Sequence, residues 1–193
     1  INLNGSVTPY RFNDPGPEGI DLRGYFEQGD ITRSSVDFTI SNTYSNSDGI
    51  IKIHGNFGEH DLSDGWYSED QTNGILAYQN FKLKYDIQTT VGLDVKRFGG
   101  TALSSGTKLG TYFNDEVASY VHVQKKFIKR LIIDTGIRFE NNSNFGWERI
   151  PRAGIVYRGT PNTSFRASAS KGFRSPSIRD FFLFNPANNK LKP

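Results

Sequence analysis

Cysteine is absent from the 193 residues, which excludes a disulfide framework and any thiolate-held metal. Long apolar runs are missing too. Hydrophobic residues make up 35%, mean hydropathy is -0.54, and no stretch approaches the roughly 18 apolar residues of a membrane helix. The 23 basic and 20 acidic residues, net +3, are scattered without the dense basic block that nucleic acid demands. No G-x-S-x-G, H-E-x-x-H or Walker-type loop occurs, and the carboxylates Glu59, Asp61, Asp64, Glu69 and Asp70 lack the paired setting of general acid–base work. The chain reads as a non-enzyme with no cofactor. It opens Ile1-Asn2-Leu3 without an initiator Met, a basic n-region or an apolar h-region, so the start of the gene product is expected to lie elsewhere.

What is present is period-2 sequence. Val36, Phe38, Ile40 and Tyr44 alternate with Asp37, Thr39, Ser41 and Thr43. Ile51, Ile53 and Phe57 alternate with Lys52, His54 and Asn56, and Val91, Leu93 and Val95 with Thr90, Asp94 and Lys96. Later runs do the same, ending with Phe165, Ala167 and Ala169 against Arg166, Ser168 and Ser170. This is the period of a sheet with one apolar side. Short turns are expected at Asn46-Ser47-Asp48-Gly49, Tyr85-Asp86-Ile87-Gln88, Phe127-Ile128-Lys129-Arg130 and Gly159-Thr160-Pro161-Asn162. Polar loops are expected at about residues 58–73, 99–114 and 141–150, with a further one from Arg174 onward. The fold class is therefore all-β, an antiparallel meander of about eight strands. Alternating short turns and long loops put all turns at one end of the sheet, as in outer-membrane barrels with periplasmic turns and extracellular loops.

The second face carries repeated Lys, Arg, Asp and Glu, which suits a water-filled or plugged lumen. Aromatic residues mark the strand ends: Tyr44, Tyr85, Phe127, Tyr157 and Phe165 near the turns, and Phe57, Phe98, Phe139 and Phe173 near the loops. Two such rows resemble interfacial girdles. Strands of ~10 residues tilted ~40° span roughly the 25 Å apolar band of an outer membrane.

Residues 1–33 are expected to be an extracellular loop or irregular lead-in, 34–173 barrel strands in hairpins, and 174–193 an extracellular loop with a short helical turn. That layout leaves both ends on the extracellular side, whereas complete bacterial barrels begin and end in the periplasm. The chain is expected to be a cut section of a larger wall. The alternatives are a small eight-stranded structural or adhesive outer-membrane barrel and a soluble carbohydrate-binding or hydrolytic β-sandwich.

The segment Lys171-Gly172-Phe173-Arg174-Ser175-Pro176-Ser177-Ile178-Arg179-Asp180-Phe181-Phe182, with Asn185-Pro186-Ala187-Asn188-Asn189-Lys190-Leu191-Lys192-Pro193, resembles the barrel of TonB-dependent outer-membrane receptors, in their Bacteroidetes style. In that family a strand closes on G-F-R-[AS]-P-S, a helical turn follows, and N-P-x-L-K-P leads into the next strand. Ala187 to Lys190 makes the second half slightly longer than usual. Ile137-Arg138-Phe139-Glu140 is similar to the family's G-[LI]-R-[YF]-E strand. Gly172, Phe173, Arg174, Pro176 and Ser177 are read as structural, with Ser175 expected to cap a helical turn that starts at Pro176. The resemblance implies uptake of a scarce nutrient, such as a ferric siderophore, haem, cobalamin or a glycan. It also implies contact with outer-membrane lipid, and a plug domain and TonB whose contacts lie outside this chain.

Ligand-facing candidates are His60, in the stretch Glu59-His60-Asp61 where an external ligand arrives, and the aromatics Trp66, Tyr67, Tyr112 and Trp147, which suit stacking on a planar or sugar ligand. Their structural reading is lumen-facing or loop packing. His54, His60 and His122 have no metal-ligand spacing.

Overall fold

The computed structural model describes residues 1–13, 28–128, 130–173 and 175–183. Among them the chain forms one antiparallel sheet of nine strands in sequential order. The strands are β1 (Asn2–Asn13), β2 (Gln28–Thr43), β3 (Ser47–Leu62), β4 (Trp66–Leu83), β5 (Ile87–Ser104), β6 (Thr107–Ile128), β7 (Leu131–Asn142), β8 (Gly146–Thr160) and β9 (Thr163–Ser170). A π-helical turn, Arg179–Leu183, follows.

Register turns the sequence alternation into two faces. Phe38, Ile53, Ile75, Val95 and Val117 stand in one row across β2 to β6. One residue along, the row is Asp37, His54, Gly74, Lys96, Glu116 and Asn142. We call these the outer and inner faces. The outer face stays bare: Ile53 is 50% exposed, Leu93 44% and Ile155 41%. Among the described residues no second sheet covers it, which removes the sandwich reading, in which these side chains would be a core. The inner face is knitted by ion pairs within strands, between neighbours and across an intervening strand. Arg138 on β7 reaches Asp94 on β5 at 3.1 Å and Glu140 on its own strand at 2.8 Å. Lys96 meets Glu116 at 2.7 Å. A small residue also makes room for a large inner-face side chain, since a Cβ on Gly92 would overlap the Tyr120 ring.

Several expectations are corrected. The stretches at 58–73, 99–114 and 141–150 are not loops: the strands run on through them, and the connectors are only residues 63–65, 105–106 and 143–145. Apolar alternation fades there, but the hydrogen-bond ladder needs no apolar side chain and continues. Strand β6 has 22 residues, about twice the ~10 that cross the apolar band. The lead-in at residues 1–33 contains β1, paired with β2 from Asn2↔Thr39 to Asn13↔Gln28, so nine strands stand where about eight were expected. β1 was hidden because Asn4, Ser6 and Thr8 alternate with Gly5, Val7 and Pro9, a weak apolar contrast.

The first turn is also shifted. Tyr44 N donates to Ser47 O at 2.7 Å, and Gly49 lies within β3 opposite Asn42. The next connector is Lys84-Tyr85-Asp86, with Tyr85 and Asp86 at φ 62° and 56°; Asp tolerates that region, whereas Tyr rarely adopts it. Of the loop-side aromatic row, Phe57 and Phe139 are on the outer face, 41% and 38% exposed. Phe98 pairs with Thr72 and Asn114 on the inner face instead.

The outer face generates a direct test. Leu93→Arg places a cation at mid-band and is expected to cost about 2–4 kcal/mol, whereas Leu93→Ile costs less than about 1.5 kcal/mol. Urea titration of the full-length protein folded into vesicles reads the difference. Equal losses would mean that this face does not meet lipid.

Candidate functional site

The extensions of β2 to β6 beyond the apolar rows carry the inner-face groups that the bilayer does not constrain. Arg33, Gly58 and Asp70 share one register across β2, β3 and β4. A Cβ on Gly58 would strike both the Arg33 guanidinium and the Asp70 carboxylate, so the glycine lets Arg33 lie across β3 and donate to Asp70 at 2.8 Å. The other arm of Arg33 lies 2.7 Å from His60 Nε2. Guanidinium only donates, so His60 Nε2 accepts and the ring is neutral, with its proton on Nδ1. Burial pushes His60 below the ordinary imidazole value, Arg33 adds to this, and Asp70 opposes it. His60 is thus engaged with the wall. Among the described residues no cluster of His, Asp and Glu could hold a metal.

A second knot forms where β6 and β7 end. Glu116, 3% exposed, accepts from Asn142 at 2.8 Å, Ser175 at 3.2 Å and Asn114 at 3.3 Å, besides its pair with Lys96. These contacts together offset the cost of burying a carboxylate. They also tether the Gly172–Ser177 motif to β6. Phe173 meets Phe145 edge to face at 6.1 Å. The expected cap at Ser175 is corrected, because Ser175 is spent on Glu116. Ser177 is the cap: Asp180 N donates to Ser177 Oγ at 3.2 Å, and Ser177 N donates to Asp180 Oδ2 at 2.9 Å. This is a capping box, and Ser-x-x-Asp was its sequence sign. Phe181 is 2% exposed, and Phe182 stacks on Tyr112 with centroids 4.5 Å apart and planes 1° apart. Arg174 and the Asn185–Pro193 half of the motif lie outside the described residues.

Between this helical turn and the extensions of β4 to β6 lies an open cleft of about 320 Å³, lined by Trp66, Ser68, Asp70, Thr72, Phe98 and Tyr112, with Ile178 at its edge. Trp66 Nε1 donates to Ser68 Oγ at 3.2 Å. Of the sequence candidates, Trp66 and Tyr112 line this cleft and His60 is held beside its wall through Arg33 and Asp70. Register turns Tyr67 and Trp147 to the outer face. Trp147 is 70% exposed. The Tyr67 hydroxyl donates to Glu69 at 2.8 Å, and that bond is the main cause that pushes its pKa up to about 12. Sequence reading missed Arg33, which falls in the expected lead-in, and Glu116 and Phe98, whose placement depends on register.

The family described as TonB dependent receptor-like, beta-barrel matches residues 2–193. Among solved structures, the siderophore receptor PirA from Pseudomonas aeruginosa superposes with TM-score 0.71 at 16% identity, over 78% of this chain and 28% of that one. A mutant of the ferric enterobactin receptor PfeA from Pseudomonas aeruginosa gives 0.68 at 9%, over 79% and 27%. PirA from Acinetobacter baumannii gives 0.65 at 12%, over 77% and 26%. The chain thus spans just over a quarter of the length of these proteins. No curated protein matches it.

Two outcomes follow from the geometry. Ser177→Ala removes the cap and is expected to cost the helical turn about 1 kcal/mol, read as faster amide exchange at Asp180 and Phe181 with β5 unchanged. His60 is neutral in the fold, so its contribution is complete above the ordinary imidazole pKa and is lost as pH falls below it. Acidification from pH 7.5 to about 5 should lower the amide-exchange protection factors over residues 58–70 of the full-length protein, taken relative to the intrinsic exchange rate at each pH, and His60→Gln should flatten that dependence.

Proposed function

The chain belongs to the TonB-dependent receptor β-barrel family, of the bacterial outer membrane, and from that premise we propose that its parent protein takes up a ferric siderophore. Members of this family are receptors rather than enzymes. This section supplies barrel wall, lumen lining and part of the ligand's path. The observation that carries the reading is the inner-face cleft above the apolar rows. Trp66, Phe98 and Tyr112 offer flat apolar surface there, and Ser68, Thr72 and Asp70 offer polar atoms. Its size lies at the lower end of small-molecule sites, roughly 300–1,000 Å³. An oxygen-rich chelate with flat apolar arms around its metal fits that mixture. Three similar structures described as siderophore or ferric enterobactin receptors support the choice over haem, cobalamin or a glycan. The plug domain and TonB are proposed as partners, each contact lying outside this chain.

The test is growth. A deletion strain on chelated iron is expected to lose growth on a ferric siderophore and to regain it with the intact gene. Trp66→Ala/Tyr112→Ala is expected to weaken siderophore binding by the purified full-length receptor about tenfold, the loss of two stacking surfaces at roughly 0.5–1.5 kcal/mol each. Loss of growth on haem, cobalamin or a glycan instead, with siderophore use intact, would overturn the assignment.

A further inference from the structure

The segment after β9 does not stay beside its own strand. The Lys171 N–H still donates to Pro151 O at 3.1 Å, and from there the chain turns back across the inner face toward β6, three places away in the sheet. Side chains mark its course. Lys171 pairs with Glu148 on β8, Phe173 meets Phe145 in the β7–β8 connector, Ser175 reaches Glu116 on β6, and Phe182 stacks on Tyr112 of the same strand. The described residues of 171–183 thus form a strap laid over the extensions of β4 to β6.

The strap supplies one wall of the cleft. Ser177, Ile178 and Leu183 line it together with Trp66, Phe98 and Tyr112. The two ends of this wall are seated differently. Phe181 and Phe182 hold the far end by packing, whereas the near end is tied to β6 by the Ser175 hydroxyl, which donates to Glu116 at 3.2 Å two residues before the Ser177 cap. Glu116 keeps Lys96, Asn114 and Asn142 with or without Ser175, so removing that hydroxyl leaves no buried charge unpaired. The bond matters little to the wall of the barrel and much to the place of the strap.

We propose that Ser175 and Glu116 are positioning residues for ligand retention: their hydrogen bond seats the strap so that Ser177, Ile178 and Leu183 close the cleft against Trp66, Phe98 and Tyr112. Neither Ser175 nor Glu116 lines the cleft, so both act through the strap. A chelate bound there touches strap and wall together, and its escape requires the strap to lift. The ligand side of this inference rests on the siderophore reading; the seating of the strap does not.

The experiment uses the full-length receptor in detergent, with fluorotryptophan incorporated and the Trp66 fluorine resonance identified by its loss in Trp66→Phe. Release of two probes, ferric enterobactin and a ferric trihydroxamate, is followed alongside. Ser175→Ala is expected to shift the Trp66 signal and to speed chelate release about tenfold, the loss of one hydrogen bond to a charged group. Association and the folded band in heat-modifiable electrophoresis should not change, since the pattern G-F-R-[AS]-P-S itself admits Ala at this position. Ser175→Thr keeps the hydroxyl and should return both readouts to wild type. Phe182→Ala frees the other end of the strap and should act as Ser175→Ala does, which keeps the test open if that variant fails to fold. A Trp66 signal or a release rate that Ser175→Ala leaves in place, or a change that Ser175→Thr does not reverse, would overturn the proposal. Wild type that binds neither chelate would count against the siderophore reading, and the Trp66 signal would then decide the strap by itself.

Discussion

The structure depends on an unbroken antiparallel hydrogen-bond ladder. Inside a bilayer no water is available to satisfy a backbone N–H or C=O, so every strand must pair with its neighbours along its whole membrane-crossing length. Among the described residues nine strands in sequential antiparallel order do this with few register slips. Among the described residues only Ile31, Ala102, Ala118 and Phe181 are buried apolar residues. The sheet is therefore not held over a core of the soluble kind; backbone pairing and the surrounding lipid take its place.

The inner face shows what the ladder makes possible. Fixed register puts Arg33 across Gly58 from Asp70, and sets Arg138 within reach of Asp94 two strands away. Gly58 leaves room beneath the crossing Arg33 side chain, so the charged arm can lie flat. Continuing the ladder past the apolar band raises the same organisation above the membrane. The helical turn then packs on it through Phe181 and Phe182, and the cleft beneath gains its roof. Wall and cleft are one construction, polar on both faces where water is available and apolar on one face where lipid is.

Much of this was legible along the chain. The alternations at Val36–Ile40, Val91–Val95 and Ile133–Phe139 identify the apolar side, because a period of two leaves each side chain only one face. The segment Gly172–Ser177 pointed to the family, and Trp66 and Tyr112 were singled out on residue type. Strand ends were less legible. Where Asp61, Asp70 and Ser104 interrupt the apolar series, polar sequence looks like loop, although the backbone there pairs as well as elsewhere. Tyr67 and Trp147 were indistinguishable from Trp66 and Tyr112 by type alone; only counting along the established register separates outer from inner.

The order of residues by itself determined that this is a β-sheet with a greasy side and a charged side, since alternation and the pleat share one period. Only the tertiary structure decided which charges meet, that Ser177 rather than Ser175 caps the helical turn, and that the presumed loops are tall hairpins. Such facts depend on which strand lies beside which and in what register, and that is set by hydrogen bonds between residues far apart in the chain.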